Sequence, residues 1–194
     1  MTVIGVTGSS GSGKSTLTGV FARHGALICD ADAIYHRLLA ESAEMRDALT
    51  AEYGEGILSG NRIDRKKLGA VVFSDSEKLL KLNSLTHPFV IAEIVRMLET
   101  TEASLAVVDA PLLFESGLDG VCDVTVGVLA PWEARLARIM ARDNITEEAA
   151  SARLSAQKPA SYYIERADLI LHNDTSAEAF AEKAEKLYED ILKR

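Results

Sequence analysis

The sequence predicts an α/β protein built on a parallel five-stranded sheet that is flanked by helices. Five short apolar runs support this prediction, because strands that are covered on both faces of a sheet carry almost no polar residues. Longer stretches with helical patterns separate the runs, as the crossovers between parallel strands require. The runs are "TVIGV" at 2–6, "ALIC" at 26–29, "SLAVVD" at 104–109, "VTVGVLA" at 124–130 and "ADLILH" at 167–172.

Two of the intervals between these runs are longer than a single crossover needs. More than seventy residues separate Cys29 from Ser104. Helical patterns occur within that interval, near 77–86 and from Pro88 to Glu99. The second interval, 131–159, lies between the fourth and fifth runs. The sequence therefore predicts a core of residues 1–41, 101–130 and 160–194, with one helical insertion at 42–100 and another at 131–159.

Several helix ends can be placed from residues that favour them. Pro131 suits the first position of a helix, and Thr146 can cap the next one. Glu147 and Glu148 then lie where the helix dipole favours negative charge. Thr175, followed three residues later by Glu178, has the pattern of a capping box for a last helix over about 177–193.

Composition and charge exclude several classes of protein. A hydrophobic content of 47% and a charged content of 26% are those of an ordinary folded protein. The net charge of −8 gives no basic surface for nucleic acid, so we expect no nucleic-acid partner. Cys29 and Cys122 lack the spacing of a zinc site and are expected to be buried thiols. No apolar run approaches the roughly 20 residues of a membrane span, and the first strand leaves no room for a signal peptide. We therefore expect a cytoplasmic protein without membrane contact.

The stretch "VTGSSGSGKSTL" follows the first apolar run and opens a helix. Gly8 to Ser15 fits the P-loop pattern G-x-x-x-x-G-K-S in its proper setting between strand and helix. Glycines allow successive backbone N–H groups to surround phosphate oxygens, and the helix adds its positive end. Lys14 can reach the β- and γ-phosphates, and the Ser15 hydroxyl can bind Mg²⁺. The motif predicts that the chain binds a nucleoside triphosphate together with Mg²⁺.

Asp109 ends the third apolar run and has the position of the acidic residue that P-loop proteins place near the metal. The other motifs of a switch GTPase, D-x-x-G after this strand and N-K-x-D for guanine, are absent from the sequence. "RLSAQ" at 153–157 lacks the glycines of the transporter-type ATPase signature. A small P-loop phosphotransferase is the class that these observations leave.

Two carboxylates follow the second strand, in "CDADAIYHRL". Asp30 and Asp32 are two positions apart where the strand gives way to a helix, so they cannot both play the same part. The carboxyl end of a parallel sheet is where ligands bind. A carboxylate that orients a hydroxyl group and accepts its proton is a recurring part of phosphoryl transfer. The alternative for either residue is helix capping.

Three arginines recur at helical spacing in "ARLARIMARDNIT". Arg135, Arg138 and Arg142 fall on one face of a helix in the second insertion. Such a stripe often lies on a solvated surface. A chain with a net charge of −8 nevertheless needs local cations to neutralise a transferring phosphoryl group. We expect this insertion to act as a lid.

Taken together, these motifs resemble the dephospho-coenzyme A kinase family. The matching segments, in order, are "TGSSGSGKST", "DAD", "GNRIDRKKLGAVVF", "LTHPFV", "VVDAPLLFE", "RIMARD" and "LSAQ", spread from residue 7 to 173. The resemblance implies a P-loop core with an inserted helical substrate domain and a helical lid. It also implies ATP-dependent phosphorylation of the ribose 3'-hydroxyl of dephospho-coenzyme A, the final step of coenzyme A biosynthesis.

The resemblance assigns roles residue by residue. Asp32 would be the general base or the carboxylate that orients the hydroxyl, and it would also lie in the metal shell with Ser15 and Asp109. Arg138 and Arg142 would be catalytic lid arginines together with Lys14 of the loop. The substrate would contact Asp32, Arg65, His87, Asp109 and Leu112. The residues expected to bind ATP are Gly8, Ser9, Ser10, Gly11, Ser12, Gly13, Lys14, Ser15, Thr16 and, near the adenine, Asn173.

Some of these assignments leave alternatives open. His87 and Pro88 could form only a helix junction, and Asp64 is expected to cap a helix next to Arg65, which could pair with a neighbouring carboxylate. The family often has a glycine soon after the position of Asn173, whereas "NDTSAE" has none, so Asp174 would have to serve in its place. Other small-molecule P-loop kinases, acting on nucleosides or nucleoside monophosphates, and a non-catalytic ATP-binding module are the competing hypotheses. A monomer or a weak homo-oligomer is expected.

Overall fold

The computed structural model describes residues 1–193. The strands and helices are, in chain order, β1 (Thr2–Thr7), α1 (Lys14–Arg23), β2 (Leu27–Asp30), α2 (Ala31–Glu41), α3 (Ala43–Tyr53), β3 (Leu58–Ser59), β4 (Arg62–Ile63), α4 (Arg65–Val72), α5 (Ser76–Thr100), β5 (Leu105–Asp109), α6 (Leu113–Ser116), β6 (Val124–Leu129), α7 (Trp132–Asp143), α8 (Glu147–Ser155), α9 (Ala160–Ile164), β7 (Leu169–His172) and α10 (Ala177–Leu192). The chain divides into two compact units, one of residues 1–29 together with those from Glu102 onward and the other of Asp30–Thr101.

The first unit is built around the predicted five-stranded sheet, whose strand order is β2-β5-β1-β6-β7. The central strand β1 pairs in parallel with β5 on one side and β6 on the other. Apolar residues of β1 and α1 are completely buried, among them Ile4, Leu17 and Phe21. Phe180 of α10 packs in the same core. All five apolar runs of the sequence are thus strands, and the predicted fold class is confirmed.

The second unit is helical and has its own core. Met45 and Leu49 of α3 and Ile57 are fully buried there, together with Leu68 of α4. A short antiparallel hairpin of β3 and β4, which the sequence analysis did not predict, pairs Leu58 with Ile63. Its two-residue turn is Gly60-Asn61, and Gly60 has φ of 60°. A glycine followed by asparagine is a recognised hairpin signal, so this turn could have been predicted from the sequence.

The boundaries of the units differ from the predicted ones. Residues 1–41 were assigned to the core, but α2 belongs to the helical unit, since Leu39 is part of its buried cluster and Tyr35 and Leu38 pack against that cluster. Residues 131–159 do not separate as a third unit, and α7 and α8 group with the sheet. Apolar periodicity shows which face of a helix is buried but not what covers it, and this is why the boundary was misplaced.

Pro88 does not separate two helices. The patterns predicted near 77–86 and from Pro88 to Glu99 form the single helix α5, with Pro88 inside it. Proline has no N–H, so the helix lacks one backbone hydrogen bond at this point, to the carbonyl of exposed Ser84. The interpretation of His87 and Pro88 as a helix junction is therefore wrong.

The predicted helix caps are mostly correct. Thr146 Oγ1 accepts from Ala149 N, and Asp64 Oδ1 accepts from the N–H groups of Lys66 and Lys67. The cap of α10 is Ser176 rather than Thr175, and α7 begins one residue after Pro131. Boundary differences of one residue are within the spread of helix definitions.

The two cysteines carry free thiols, as predicted, with Cys29 buried and Cys122 half-buried. Burial raises the pKa of Cys29 to about 11 and that of Cys122 to about 12. Among residues 1–193, no helix is long and apolar enough to cross a membrane.

Candidate active site

The loop between β1 and α1 has the backbone geometry of a phosphate-binding loop. Gly8 and Gly13 have φ of 143° and 106°, a region that residues with a side chain rarely adopt. A Cβ atom at Gly8 would overlap the carbonyl oxygen of Val128, and one at Gly13 would overlap Nδ2 of Asn173. Only glycine fits at either position, because both the backbone angle and the surrounding atoms exclude a side chain.

Helix α1 begins without a side-chain cap and without an acidic residue in its first turn. The N–H groups of a first helical turn have no partner inside the helix, and together they favour an anion. Ser15 and Thr16 are exposed in this turn. Lys14 Nζ lies back over the loop and donates to the carbonyl of Gly8 at 2.9 Å. The loop and helix together can bind a chain of phosphates.

The buried side chain of Asn173 stabilises this loop through hydrogen bonds. Its side chain is 4% exposed, and Nδ2 donates to the carbonyl of Ser12 at 2.8 Å. Arg138 of α7 donates to Asn173 Oδ1 at 3.2 Å and to the carbonyl of Gly11 at 3.0 Å. The family resemblance places Asn173 near the adenine, and in the structure its amide is hydrogen-bonded to the loop and to Arg138. Among residues 1–193, Asn144 is the only non-glycine residue with positive φ, so Asp174 does not take the glycine-like conformation.

A second set of hydrogen bonds joins the loop to residues 131–159, the second predicted insertion. Gln157 accepts from the N–H of Ser10 at 2.9 Å through Oε1 and donates to Ser10 Oγ at 2.7 Å through Nε2. Arg135 donates to the carbonyl of Ser10 at 3.2 Å and to Gln157 Oε1 at 3.3 Å. Burial lowers the pKa of the Arg135 guanidinium. Gln157 belongs to the segment "LSAQ", for which the sequence predicted no role. Its position in the chain gives no indication that it is hydrogen-bonded to Ser10.

The three arginines of α7 therefore have different surroundings. Arg135 and Arg138 contact carbonyl groups of the loop. Arg142 instead forms a bidentate pair with Asp143, at 2.7 Å and 2.9 Å. Asp143 also accepts from Arg153 at 2.6 Å, and hydrogen bonding by Arg142 and then the charges of both arginines hold the pKa of this carboxyl below its usual range. The Arg142 side chain is 57% exposed.

Asp109 ends β5 beside the phosphate-binding loop. It is paired in register with Val6 of β1, two residues before Gly8. The segment after it is fixed on β1 by two hydrogen bonds, from Ala110 N to the carbonyl of Val6 and from Thr7 Oγ1 to the carbonyl of Pro111. Leu112 is 42% exposed. This segment places one carboxylate and one apolar side chain at the carboxyl edge of the sheet, the edge at which ligands bind in parallel sheets.

In the helical unit, the two carboxylates of "DAD" have separate tasks. Asp30 caps α2, since its Oδ1 accepts from Ala33 N at 2.9 Å. Asp32 lies in the first turn of α2 and is exposed. The structure thus shows that Asp30 is the capping carboxylate of α2.

The other substrate residues expected in this unit lie on different helices. Arg65 opens α4, is exposed, and its Nη2 is 3.2 Å from Nε2 of His36 on α2. This partner is a ring nitrogen, and not the neighbouring carboxylate that the sequence analysis considered. His87 lies within α5 and is half-buried. His36 was not considered as a site residue.

Replacing Gln157 by Ala is expected to raise KM for ATP roughly tenfold with a small effect on kcat, because three hydrogen bonds that hold Ser10 and Arg135 are lost. Steady-state kinetics with varied ATP measure the effect. Ser155→Ala, at the exposed end of α8, is the control and should match the wild type. An unchanged KM in Gln157→Ala would show that the loop keeps its shape without these hydrogen bonds.

Comparison with known proteins identifies the family. The family model for dephospho-CoA kinase (CoaE) matches residues 2–179. The dephospho-CoA kinase of Fusobacterium nucleatum is 37% identical over 190 residues, which are 97% of this chain and 98% of that protein.

Solved structures agree. The crystal structure of TT1252 from Thermus thermophilus is 37% identical with a TM-score of 0.84, and the match covers 98% of this chain and 97% of that one. Dephospho-CoA kinase from Campylobacter jejuni is 32% identical with a TM-score of 0.70, covering 97% and 96%. The match to the family model includes the phosphate-binding loop, both aspartates of "DAD" and the arginines of α7. This chain belongs to the dephospho-CoA kinase family.

Proposed function

We propose that the protein transfers the γ-phosphoryl group of ATP to the ribose 3'-hydroxyl of dephospho-CoA, which yields CoA and ADP and completes CoA biosynthesis. The observation that carries this proposal is the match of one family model to residues 2–179, because it includes both the ATP-binding loop and the Asp32 segment. Relatives that are named dephospho-CoA kinase match this chain over nearly their whole length, which supports the same activity.

The loop would bind the donor. The ATP phosphates would lie against the backbone N–H groups between Ser9 and Thr16, at the uncapped start of α1. Lys14 would exchange its hydrogen bond to the Gly8 carbonyl for one to the β- and γ-phosphates. This exchange replaces a neutral acceptor with a charged one, and hydrogen bonds between charged groups are about twice as strong.

The residues at this edge of the sheet fit a magnesium ion. Mg²⁺ prefers oxygen ligands and is usually held by one or two carboxylates together with phosphates and water. The Ser15 hydroxyl is exposed on the first turn of α1, and Asp109 ends the strand that pairs with β1. When bound, the ion would neutralise charge on the β- and γ-phosphates.

Asp32 would act on the acceptor. Its carboxylate would orient the 3'-hydroxyl and take its proton as the new O–P bond forms and the bond from the γ-phosphorus to the ADP oxygen breaks. Exposure of Asp32 leaves it accessible to a ligand, and Asp30 already caps the helix. Arg65, His87 and Leu112 would contact the rest of the substrate.

The lid arginines would neutralise the transferring group. A guanidinium has five N–H donors, and Arg138 uses one donor for Gly11 and one for Asn173, which leaves others for a phosphate. Arg142 would have to leave Asp143 to do the same. Asn173 would support the nucleotide site through the loop in addition to any contact with adenine.

The cellular setting follows from the proposed reaction. We place the protein in the cytoplasm, where its two free thiols would stay reduced. We expect it to be a monomer or a weak homo-oligomer. The net charge of −8 argues against a nucleic-acid partner.

A panel of acceptors tests the function. Purified protein with Mg²⁺ and ATP should release ADP rapidly with dephospho-CoA and far more slowly with adenosine, AMP or shikimate, as a coupled ADP assay would show. ADP release that is indifferent to dephospho-CoA would contradict the proposal, and preference for a nucleoside or nucleoside monophosphate would assign the chain to another kinase activity.

A further inference from the structure

Helices α7 and α8 form a helical hairpin that carries a cluster of three charged side chains. Asp143 is the last residue of α7, and both of its carboxylate oxygens accept from Arg142, at 2.7 Å and 2.9 Å. Arg153 of α8 donates to the same carboxylate at 2.6 Å. One carboxylate thus binds two guanidinium groups, and the cluster is positively charged in a chain whose net charge is −8.

The backbone around this cluster is fixed independently of the charges. Ile139 of α7 and Leu154 of α8 are buried in a small apolar core between the two helices. Asn144 ends α7 in the left-handed conformation, with φ of 51°, and so defines the turn between them. Because the helices are held in this way, Arg142 can leave Asp143 by rotation of its own side chain, without any rearrangement of the hairpin.

Arg142 lies on the face of α7 that contacts the phosphate-binding loop. Arg138, four residues earlier and therefore on the same face, donates to the carbonyl of Gly11 in that loop. Four residues advance an α-helix by about 6 Å, a distance that a long side chain can span. The Arg142 side chain is 57% exposed, whereas the carboxylate that it binds is on a side chain only 24% exposed. Arg142 is thus the mobile partner of the pair, and Asp143 is the fixed one.

We propose that Asp143 is a positioning residue that competes with the γ-phosphate of ATP for Arg142 and holds this arginine back when the nucleotide is ADP. The inference rests on the proposed function, from which it takes ATP as the donor. When Arg142 moves to the γ-phosphate, Arg153 remains on Asp143, so the carboxylate keeps a cationic partner. Water and salt screen an exposed ion pair, whereas an arginine and a phosphate form strong charge-assisted hydrogen bonds, so the exchange favours the nucleotide. Asp143 therefore weakens the binding of ATP and leaves that of ADP unchanged.

Two substitutions with opposite expected effects test the proposal. Asp143→Asn keeps an oxygen for Arg153 but has no charge to hold Arg142, so a non-hydrolysable ATP analogue with Mg²⁺ should bind about two- to fivefold more tightly in calorimetry. Arg153→Gln leaves Arg142 as the single cation on Asp143, so the analogue should bind about two- to fivefold more weakly. ADP should bind to both variants as it does to the wild type. Glu147→Gln, which removes a charge at the exposed start of α8, is the control and should leave both affinities unchanged.

A double variant separates competition for Arg142 from a general effect of charge. In a chain that already carries Arg142→Gln, adding Asp143→Asn should leave the affinity for the ATP analogue unchanged, because the side chain for which Asp143 competes is gone. Equal tightening with and without Arg142, equal changes for ATP and ADP, or unchanged or weaker ATP binding in Asp143→Asn would overturn the proposal. If Asp143→Asn melts well below the wild type, Arg153→Gln decides, since its side chain is 48% exposed and only its predicted loss of ATP affinity supports the proposal. These titrations need no acceptor, so absence of turnover with dephospho-CoA would contradict the proposed function and leave the result on Asp143 standing.

Discussion

Asp32→Asn is expected to lower kcat by roughly a hundredfold or more, as the loss of a general base does, while ATP still binds. Asn keeps the size and the hydrogen-bonding oxygen of Asp but cannot take up the proton of the acceptor hydroxyl. The substitution should leave the helix in place, because the cap of α2 is Asp30, whose Oδ1 accepts from Ala33 N. Steady-state kinetics with saturating substrates and calorimetry with an ATP analogue measure the two effects.

Asp30→Asn is the matched control for this experiment. Asn caps helices about as well as Asp does, so turnover in this variant should stay within about twofold of the wild type. A kcat of Asp32→Asn within a few-fold of the wild type would show that Asp32 is not the base. A large loss in Asp30→Asn instead would move the role to that residue.

Gly13→Ala is expected to weaken ATP binding by roughly a hundredfold or more, because a backbone strain of 1–3 kcal/mol adds to steric overlap. Gly13 has φ of 106°, and an added Cβ would overlap Asn173 Nδ2 and lie 3.1 Å from Phe180 Cε1. Relief of the overlap displaces Asn173, which breaks its bond to the Ser12 carbonyl and its contact with Arg138. Calorimetry with an ATP analogue and a thermal melt measure affinity and stability.

Gly19→Ala provides the control on the adjoining helix. Gly19 lies inside α1 without positive φ, and an added Cβ meets nothing within 4 Å. This variant should bind ATP normally and gain roughly 0.5–1 kcal/mol of stability, since alanine favours a helix interior over glycine. Normal ATP affinity in Gly13→Ala would mean that the loop and Asn173 rearrange at little cost, contrary to the role of the hydrogen bonds described above.

The sheet and the nucleotide loop were predictable because each has a local cause. Nearly continuous apolar runs identify buried parallel strands without knowledge of their neighbours. The loop is defined by the positions of Gly8, Gly13, Lys14 and Ser15, and its strand–helix setting can be read from adjoining residues. The resemblance to one kinase family then followed from several motifs in one order, and the family model confirms it.

The parts that were missed depend on contacts between distant positions. Gln157 and Ser10 are 147 residues apart, and Asn173 and Ser12 are 161 apart, so no local pattern indicates that they are hydrogen-bonded. The limits of the helical unit depend on which core α2 packs into. Pro88 was given its usual effect of ending a helix, whereas α5 continues through it and buries Val90 and Ile94 beyond that point. Tertiary packing outweighed local propensity there.

The position of the transferred phosphate tests the central claim most directly. The protein is incubated with Mg²⁺, ATP and dephospho-CoA, and the product is examined by mass spectrometry and ³¹P NMR. One new phosphomonoester on the ribose 3'-oxygen, formed in equal amount to ADP, is the predicted result. ADP formation without any phosphorylated acceptor, or a phosphate at another position, would contradict the claim that this chain is a dephospho-CoA kinase in activity as well as in family.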